Sequence, residues 1–127
     1  MSKQIINTPL APAPIGPYSQ AILNRDMLYT SGQIALNPAT GSLIQGTVQD
    51  ETIQVMENLK AVLHAAGMTF ENVLKTSIFI ADMNDFSLIN EVYSRYIDDA
   101  TAPARETVEV ANLPKFVKVE ISMIASL

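Results

Sequence analysis

Arg105 is the residue whose type and position in the sequence point most directly to chemistry. It lies in the segment TAPARETVEV, residues 101–110, where Pro103 opposes helix and the following residues are typical of a strand. A guanidinium carries a permanent charge and a planar fork of donors that matches a carboxylate or phosphate through two hydrogen bonds. Side chains alternate along a strand, so Arg105 and Thr107 share one face and Glu106 lies on the other. Arg105 therefore needs a partner from outside its own strand.

That partner is either a protein carboxylate or an anionic ligand. A surface salt bridge is the common role of a strand arginine, and it contributes about 0 to 1 kcal/mol. Glu120, near the C-terminus, is the carboxylate that could pair with Arg105 and neutralise it. In a cleft without such a partner, the arginine would favour binding of a small anion.

Composition excludes several classes of function. The 127 residues are 48% hydrophobic, which predicts one domain over residues 1–127. The 13 acidic and 8 basic residues give a net charge of -5, so we expect no nucleic-acid partner. The absence of cysteine excludes thiol nucleophiles, disulfides and metal sites built on thiolates. The sequence also lacks a signal-peptide pattern and a run of ~20 apolar residues, which favours a cytoplasmic protein away from membranes.

Few other residues offer catalytic chemistry. His64 is the single histidine, which argues against a metal site and against a serine–histidine–aspartate triad. Its setting in a helical segment indicates a structural role. The glycines match no nucleotide-binding motif. Lys75 lies in a predicted strand and could form a Schiff base, or it could simply extend to the edge of the sheet.

The first half of the chain predicts three strands and a helix. A short apolar run at 4–6 precedes a segment with four prolines at 7–17. Strand-like segments at 19–23 and 27–31 are separated by a tripeptide that favours a tight turn, so they form a predicted hairpin. A helix is predicted over 48–66, with Gly67 at its C-terminal cap. Its apolar face comprises Ile53, Met56, Leu59, Leu63 and Ala66, with His64 and Asn58 among the flanking polar residues.

The second half predicts a strand, a helix and two further strands. Residues 73–81 are β-branched and apolar, which is typical of a central strand covered on both faces. Residues 82–85 provide caps for a second helix. Its apolar face comprises Phe86, Ile89, Tyr93, Tyr96 and Ile97. After the Arg105 strand, the segment 116–125 alternates so that Glu120 faces away from the more apolar side. The order βββαβαββ predicts an α+β sandwich, a mixed sheet with both helices on one face.

A resemblance is carried by three groups of residues in this order. They are Gly16-Pro17-Tyr18-Ser19, then Ser31-Gly32-Gln33, and then Pro103-Ala104-Arg105 with Leu113-Pro114 and Val119-Glu120. Each group alone is a weak signal, but the set resembles the RidA/YjgF family of enamine/imine deaminases from about Ile15 to Ala125. The resemblance implies a chorismate-mutase-like fold. It also implies a homotrimer whose sheets form a central barrel, with the sites in clefts between subunits.

The resemblance implies an activity as well. The family hydrolyses 2-iminobutanoate and 2-iminopropanoate to 2-oxo acids and ammonia, with no cofactor. By position, Arg105 would bind the substrate carboxylate and Glu120 would orient or activate the attacking water. Tyr18, Ser31, Gly32 and Asn90 would line the cleft and hold the ligand. A protonated imine is already electrophilic, so a site of this kind mainly has to position water and transfer protons.

Two other functions are alternatives. The same arginine could belong to a non-catalytic sensor that binds 2-oxo acids and acts on a partner. An endoribonuclease or translation inhibitor, as reported for some relatives, conflicts with the acidic net charge.

Overall fold

The structure is a computed structural model that describes residues 3–127. Within them, six strands and two helices occur along the chain in the order βββαβαββ. The six strands form one mixed sheet. The α+β class and the order of elements expected from the sequence are therefore confirmed. The strands are β1 Lys3–Ile6, β2 Ala21–Asn24, β3 Met27–Thr30, β4 Val73–Ile80, β5 Ala104–Glu109 and β6 Val119–Ser126; the helices are α1 Val48–Ala65 and α2 Phe86–Ser94.

The strand order across the sheet is β1-β2-β3-β6-β4-β5. β4 and β5 are parallel, and the other neighbouring pairs are antiparallel. α2 lies in the crossover between β4 and β5, which parallel strands require. β2 and β3 form the expected hairpin, although both strands are shorter than predicted. Its turn contains Arg25 with a φ of 57°.

α1 begins at a capping box and ends at a glycine. The Asp50 N–H donates to Thr47 Oγ1, and the Thr47 N–H donates to Asp50 Oδ2, each at 3.2 Å. These bonds satisfy two of the donors that the first helical turn leaves free. At the other end Gly67 has a φ of 75°, and its N–H donates to the His64 carbonyl at 2.9 Å. The predicted helix is thus one residue too long, and its glycine cap is confirmed.

The buried face of α1 differs from the predicted one. Ile53 and Ala66 lie only at its half-buried margins, while Asn58 is fully buried instead of flanking the apolar face. The Asn58 amide donates to the carbonyls of Ile34 at 3.2 Å and Leu36 at 3.0 Å, which satisfies the polar group in the interior. The apolar residues of this face are Val48, Val55, Met56, Leu59, Val62 and Leu63.

α2 ends at Ser94, so the predicted helix was too long at this end. Tyr96 and Ile97 lie beyond it and still pack on the core. The Tyr96 N–H bonds to the Tyr93 carbonyl at 3.1 Å, three residues back, which closes the last turn.

The last strand begins at Val119, so the prediction of a strand from residue 116 was wrong. Pro114–Phe116 form a 3-10 turn in which Lys115 and Phe116 both have a φ of 56°. Positive φ is incompatible with a strand. The backbone N–H of Lys118 then donates to Glu51 Oε1 on α1 at 3.1 Å, which joins this turn to the helix.

Both helices pack on the same face of the sheet, where they bury one core with residues of all strands except β5. The prediction that β4 is covered on both faces is therefore wrong within the chain. Its Lys75, Ser77 and Phe79 point to the opposite, helix-free face and are only half-buried. On that face Ile5, Ile22, Tyr29 and Ile124 form one row across four neighbouring strands.

Replacing Thr47 by alanine tests the capping box. We expect the free energy of unfolding to fall by about 1 kcal/mol, because an N-cap side chain typically contributes that much. The double variant with Asp50→Ala should lose less than the sum of the single losses, because both residues serve one box. Urea denaturation measures these changes, and exposed Gln45→Ala is the control. Equal stability of wild type and Thr47→Ala would contradict the assignment.

Candidate functional site

One cavity, of about 340 Å³, lies at the end of the sheet beside Glu120. Its walls come from the proline-rich segment, from the chain that follows β3 and from the turn before β6. We call it the Glu120 cavity. It is lined by Pro12, Ile15, Tyr18, Ser31, Gly32, Gln33, Ile34, Leu36, Pro114 and Glu120.

Glu120 is the acidic residue among those that line this cavity. It is the second residue of β6 and lies on the helix-free face, as the alternation predicted. The side chain is half-buried, and no hydrogen bond or ion pair joins it to another residue within 3–127. Burial raises the pKa of the Glu120 carboxyl above its usual value. A carboxyl with a raised pKa can both take and give a proton closer to neutral pH.

Gly32 leaves the space that the Glu120 side chain occupies. A Cβ atom at Gly32 would lie 2.7 Å from Glu120 Cδ and 2.8 Å from Oε2. Neither a positive φ nor a turn favours glycine at this position. The feature that favours glycine is the close approach of the Glu120 carboxyl. The same chain segment pairs with β6 through Gln33 and Ile121, whose backbones exchange hydrogen bonds at 2.8 and 3.1 Å.

Ser31 and Tyr18 are held beside the same cavity by local hydrogen bonds. Ser31 Oγ donates to the Ser19 carbonyl at 2.6 Å, and its N–H donates to the Gln20 carbonyl at 2.9 Å. The Tyr18 hydroxyl accepts from the Ile15 N–H at 3.4 Å, and the ring is half-exposed. Because the Ser31 hydroxyl already donates its proton to a carbonyl, it can interact with a ligand only as an acceptor, through its two lone pairs.

Arg105 lies at a second cavity, of about 390 Å³, beside α2. Its Nη1 donates to Asn90 Oδ1 at 2.6 Å. The guanidinium carbon lies 5.2 Å from the Tyr93 ring centre and 5.8 Å from that of Phe86, within cation–π range. Asn90 and the two rings thus orient the cation without neutralising its charge. The further lining residues are Ser94, Ile97, Asp99, Ala102 and Pro103.

No carboxylate forms an ion pair with Arg105 within residues 3–127. The alternative in which Glu120 is its structural partner is therefore wrong for a single chain. Tyr93 is buried under the guanidinium and donates to Thr76 Oγ1 at 3.0 Å. Burial raises the pKa of the Tyr93 hydroxyl, and Arg105 opposes that shift.

Arg105 and Glu120 lie on opposite faces of the sheet. Arg105 pairs with Thr76 on β4, and Glu120 pairs with Phe79 on the same strand. Thr76 and Phe79 are three residues apart, so they point to opposite sides. The six residues expected at one site therefore form two groups within a chain: Arg105 with Asn90, and Glu120 with Tyr18, Ser31 and Gly32.

Two other residues considered from the sequence, His64 and Lys75, lie outside both cavities. His64 is exposed near the end of α1. Lys75 Nζ lies 2.9 Å from Glu106 Oε1 on the edge strand, and Ser77 Oγ donates to the same carboxylate. These contacts lower the pKa of Glu106, Ser77 having the larger effect and Lys75 the smaller.

Within residues 3–127, no group of three or more His, Asp or Glu residues could hold a metal ion, and no helix is long and apolar enough to span a bilayer.

Sequence reasoning missed several residues that lie against Arg105 or line the Glu120 cavity. Phe86 and Tyr93 were assigned to the core face of the helix, and their rings also contact Arg105. An aromatic residue at helical spacing gives no signal for such a second role. Ile34 and Leu36 were not assigned to any element, because they lie in an irregular segment with no periodicity.

Fold and site together define a small α+β protein with an unpaired arginine on one face and a half-buried carboxyl on the other. A protein-family model described as Endoribonuclease L-PSP matches residues 8–127. A RutC family protein of Synechocystis sp. is 53% identical over 100% of this chain and 98% of its own length. The 2-iminobutanoate/2-iminopropanoate deaminase of Mus musculus is 46% identical over 97% of this chain and 90% of its own.

The structure of E. coli TdcF with bound serine superposes with a TM-score of 0.92 at 46% identity, covering 98% of this chain and 99% of that one. This protein belongs to the RidA/YjgF/L-PSP family. The resemblance noted from the sequence is confirmed.

Replacing Glu120 by glutamine tests the raised pKa. A carboxyl whose pKa is higher in the folded state destabilises that state when it ionises, so Glu120→Gln should raise the free energy of unfolding at about pH 7. The gain should vanish as the pH falls below the ordinary value of 4.5. Urea denaturation across this range measures it.

Glu106→Gln is the matched control, with the opposite sign. The pKa of Glu106 is lowered, so its replacement should reduce stability at about pH 7, and the deficit should shrink in acid as the carboxyl protonates. A pH-independent effect of Glu120→Gln would contradict the burial of this carboxyl.

Proposed function

We propose that this protein hydrolyses 2-imino acids, such as 2-iminobutanoate and 2-iminopropanoate, to 2-oxo acids and ammonia. The observation that carries the proposal is Arg105, a cation oriented by Asn90 and lacking a carboxylate partner within residues 3–127. The carboxylate of an imino acid would pair with the Arg105 guanidinium through two charge-assisted hydrogen bonds. Relatives of similar length at about 46% identity carry the name of this deaminase, which supports the assignment.

Glu120 would supply the proton transfers. It would take a proton from water as the water oxygen bonds to the imine carbon. Starting from the protonated imine, this gives a carbinolamine, and Glu120 would return the proton to its nitrogen. As the carbon–nitrogen bond breaks, Glu120 would take the proton of the carbinol hydroxyl, which forms the keto oxygen and releases ammonia; that last proton leaves with ammonia as ammonium. The raised pKa of this carboxyl suits these steps, since each requires a group that exchanges protons near the working pH. The reaction written in this way balances with water alone and uses no cofactor.

The complete site would need two subunits. Arg105 and Glu120 point to opposite faces of one sheet, so a substrate that contacts both needs Arg105 of one chain and Glu120 of another. We propose a homotrimer in which the helix-free faces form a central barrel and the sites lie between subunits. The row of Ile5, Ile22, Tyr29 and Ile124 on that face supports the assembly. Ile5 is 62% and Tyr29 47% exposed in the single chain, and association would bury them.

The activity is tested by coupling a threonine dehydratase to the purified protein and following 2-oxobutanoate. Wild type should accelerate its release, and Arg105→Ala should lower kcat/KM by about a hundredfold or more, because a charged binding contact is lost. Arg95→Ala is the matched control, since Arg95, the residue after α2, pairs with Glu91 of that helix and lies at neither cavity. If wild type gives no acceleration but calorimetry detects 2-oxobutanoate binding, the protein is a sensor and not a deaminase.

Mixing two inactive variants tests whether the site is shared. Arg105→Ala and Glu120→Gln, unfolded together and refolded, should regain activity, because some mixed sites would combine an intact Arg105 with an intact Glu120. Arg105→Ala mixed with the double variant forms no such site and should stay inactive. Failure of the first mixture to recover, with trimers present in sedimentation, would rule out the shared site.

A further inference from the structure

We propose that Gln20 is a positioning residue that fixes the proline-rich segment as a wall of the Glu120 cavity. The inference rests on the proposed function for its kinetic consequence only. The structural part, that one buried amide holds residues 8–12 in place, stands independently of any activity.

Gln20 is buried, with 1% of its surface exposed, and its side chain makes four hydrogen bonds to the backbone of the proline-rich segment. Its Oε1 accepts from the Thr8 N–H at 2.7 Å. Its Nε2 donates to the carbonyls of Thr8, Ala11 and Pro12, at 3.0, 3.2 and 2.9 Å. The two amide hydrogens of Gln20 are shared among these three carbonyls, and its oxygen accepts one N–H. No strand pairs these groups, and the Thr8 carbonyl also accepts from the Ala11 N–H at 3.5 Å.

The segment depends on an outside donor because of its composition. Pro9, Pro12, Pro14 and Pro17 have no backbone N–H, which opposes helix and strand over residues 7–17, so the carbonyls of this segment lack the regular partners that those elements would provide. A carbonyl left unpaired in the interior carries an energetic cost, because it loses its hydrogen bonds to water. The Gln20 amide removes that cost and thereby favours one arrangement of the segment over others.

This arrangement determines the shape of the cavity. Pro12, Ile15 and Tyr18 all line the Glu120 cavity, and Pro12 is itself bonded to Gln20. The backbone carbonyl of Gln20 also accepts from the N–H of Ser31, on the neighbouring wall. A change confined to the Gln20 side chain would leave that backbone bond in place. Such a change would loosen only the wall of the cavity that the proline-rich segment forms.

Amide hydrogen exchange tests the structural part without any substrate. In Gln20→Leu, which keeps the volume and removes the bonds, the Thr8 amide and its neighbours up to Tyr18 should exchange about tenfold faster or more. Gln20→Glu keeps an acceptor for Thr8 but loses the donors to the three carbonyls, so it should loosen the segment as well. It also provides a second variant if Gln20→Leu folds poorly.

Thr52→Val is the matched control. Thr52 is equally buried, and its Oγ1 donates to the Val48 carbonyl within α1, away from the cavity. The Thr52→Val substitution should lower the free energy of unfolding about as much as the Gln20 substitutions do. It should leave amide exchange at residues 8–18 unchanged. Unchanged exchange there in both Gln20 variants would overturn the proposal, and so would the same increase in Thr52→Val.

Kinetics test the consequence for substrate. The Gln20 variants should raise KM for 2-iminobutanoate about tenfold with kcat within about twofold, since the wall contacts the substrate but not the reacting atoms. Thr52→Val should change neither constant. A faster-exchanging segment with unchanged KM would overturn the positioning role. If wild type shows no deaminase activity, the proposed function fails, and the exchange experiment still decides whether Gln20 holds the segment.

Discussion

The arrangement of this protein depends on one constraint: a six-stranded sheet with both of its helices on a single face. Side chains that alternate along each strand must then go either into the core or to the helix-free face. β6 shows the result, because Val119 and Ile121 are buried in the core while Glu120 between them is half-buried on the other side. The helix-free face keeps apolar residues such as Ile124, which is only half-buried in the single chain.

The two charged residues of the proposed site, Arg105 and Glu120, are likewise divided between the two faces of the sheet. Arg105 lies on the helix side of the edge strand, where Asn90 and two aromatic rings orient it. Glu120 lies on the helix-free side in a largely apolar cavity, which raises its pKa. Had the two been adjacent on one face, each would have neutralised the other. Their separation leaves each without an ion-pair partner within residues 3–127, and the proposed hydrolysis rests on this arrangement.

Irregular segments form most of the Glu120 cavity, and buried polar side chains hold them. Gln20 bonds to the proline-rich segment, Asn58 to the chain at Ile34, and Glu51 to the turn that leads into β6. Each replaces hydrogen bonds that a strand would otherwise provide. The walls of a binding cavity can therefore be precise in position although they lack regular secondary structure.

The sequence by itself determined the elements, the class of fold and the family. Period-two and helical patterns, the glycine after α1 and the motifs around Arg105 and Glu120 are local signals, and they depend on neighbouring residues only. It did not reveal the turn at Pro114–Phe116, the buried Asn58 or the contact of Tyr93 with Arg105. Each of these depends on partners 12 or more residues away, Tyr93 on Arg105, Asn58 on Ile34 and the turn on Glu51. Only the tertiary structure decided that Arg105 and Glu120 lie on opposite faces, because strand register, which long-range pairing fixes, sets which side each one points to.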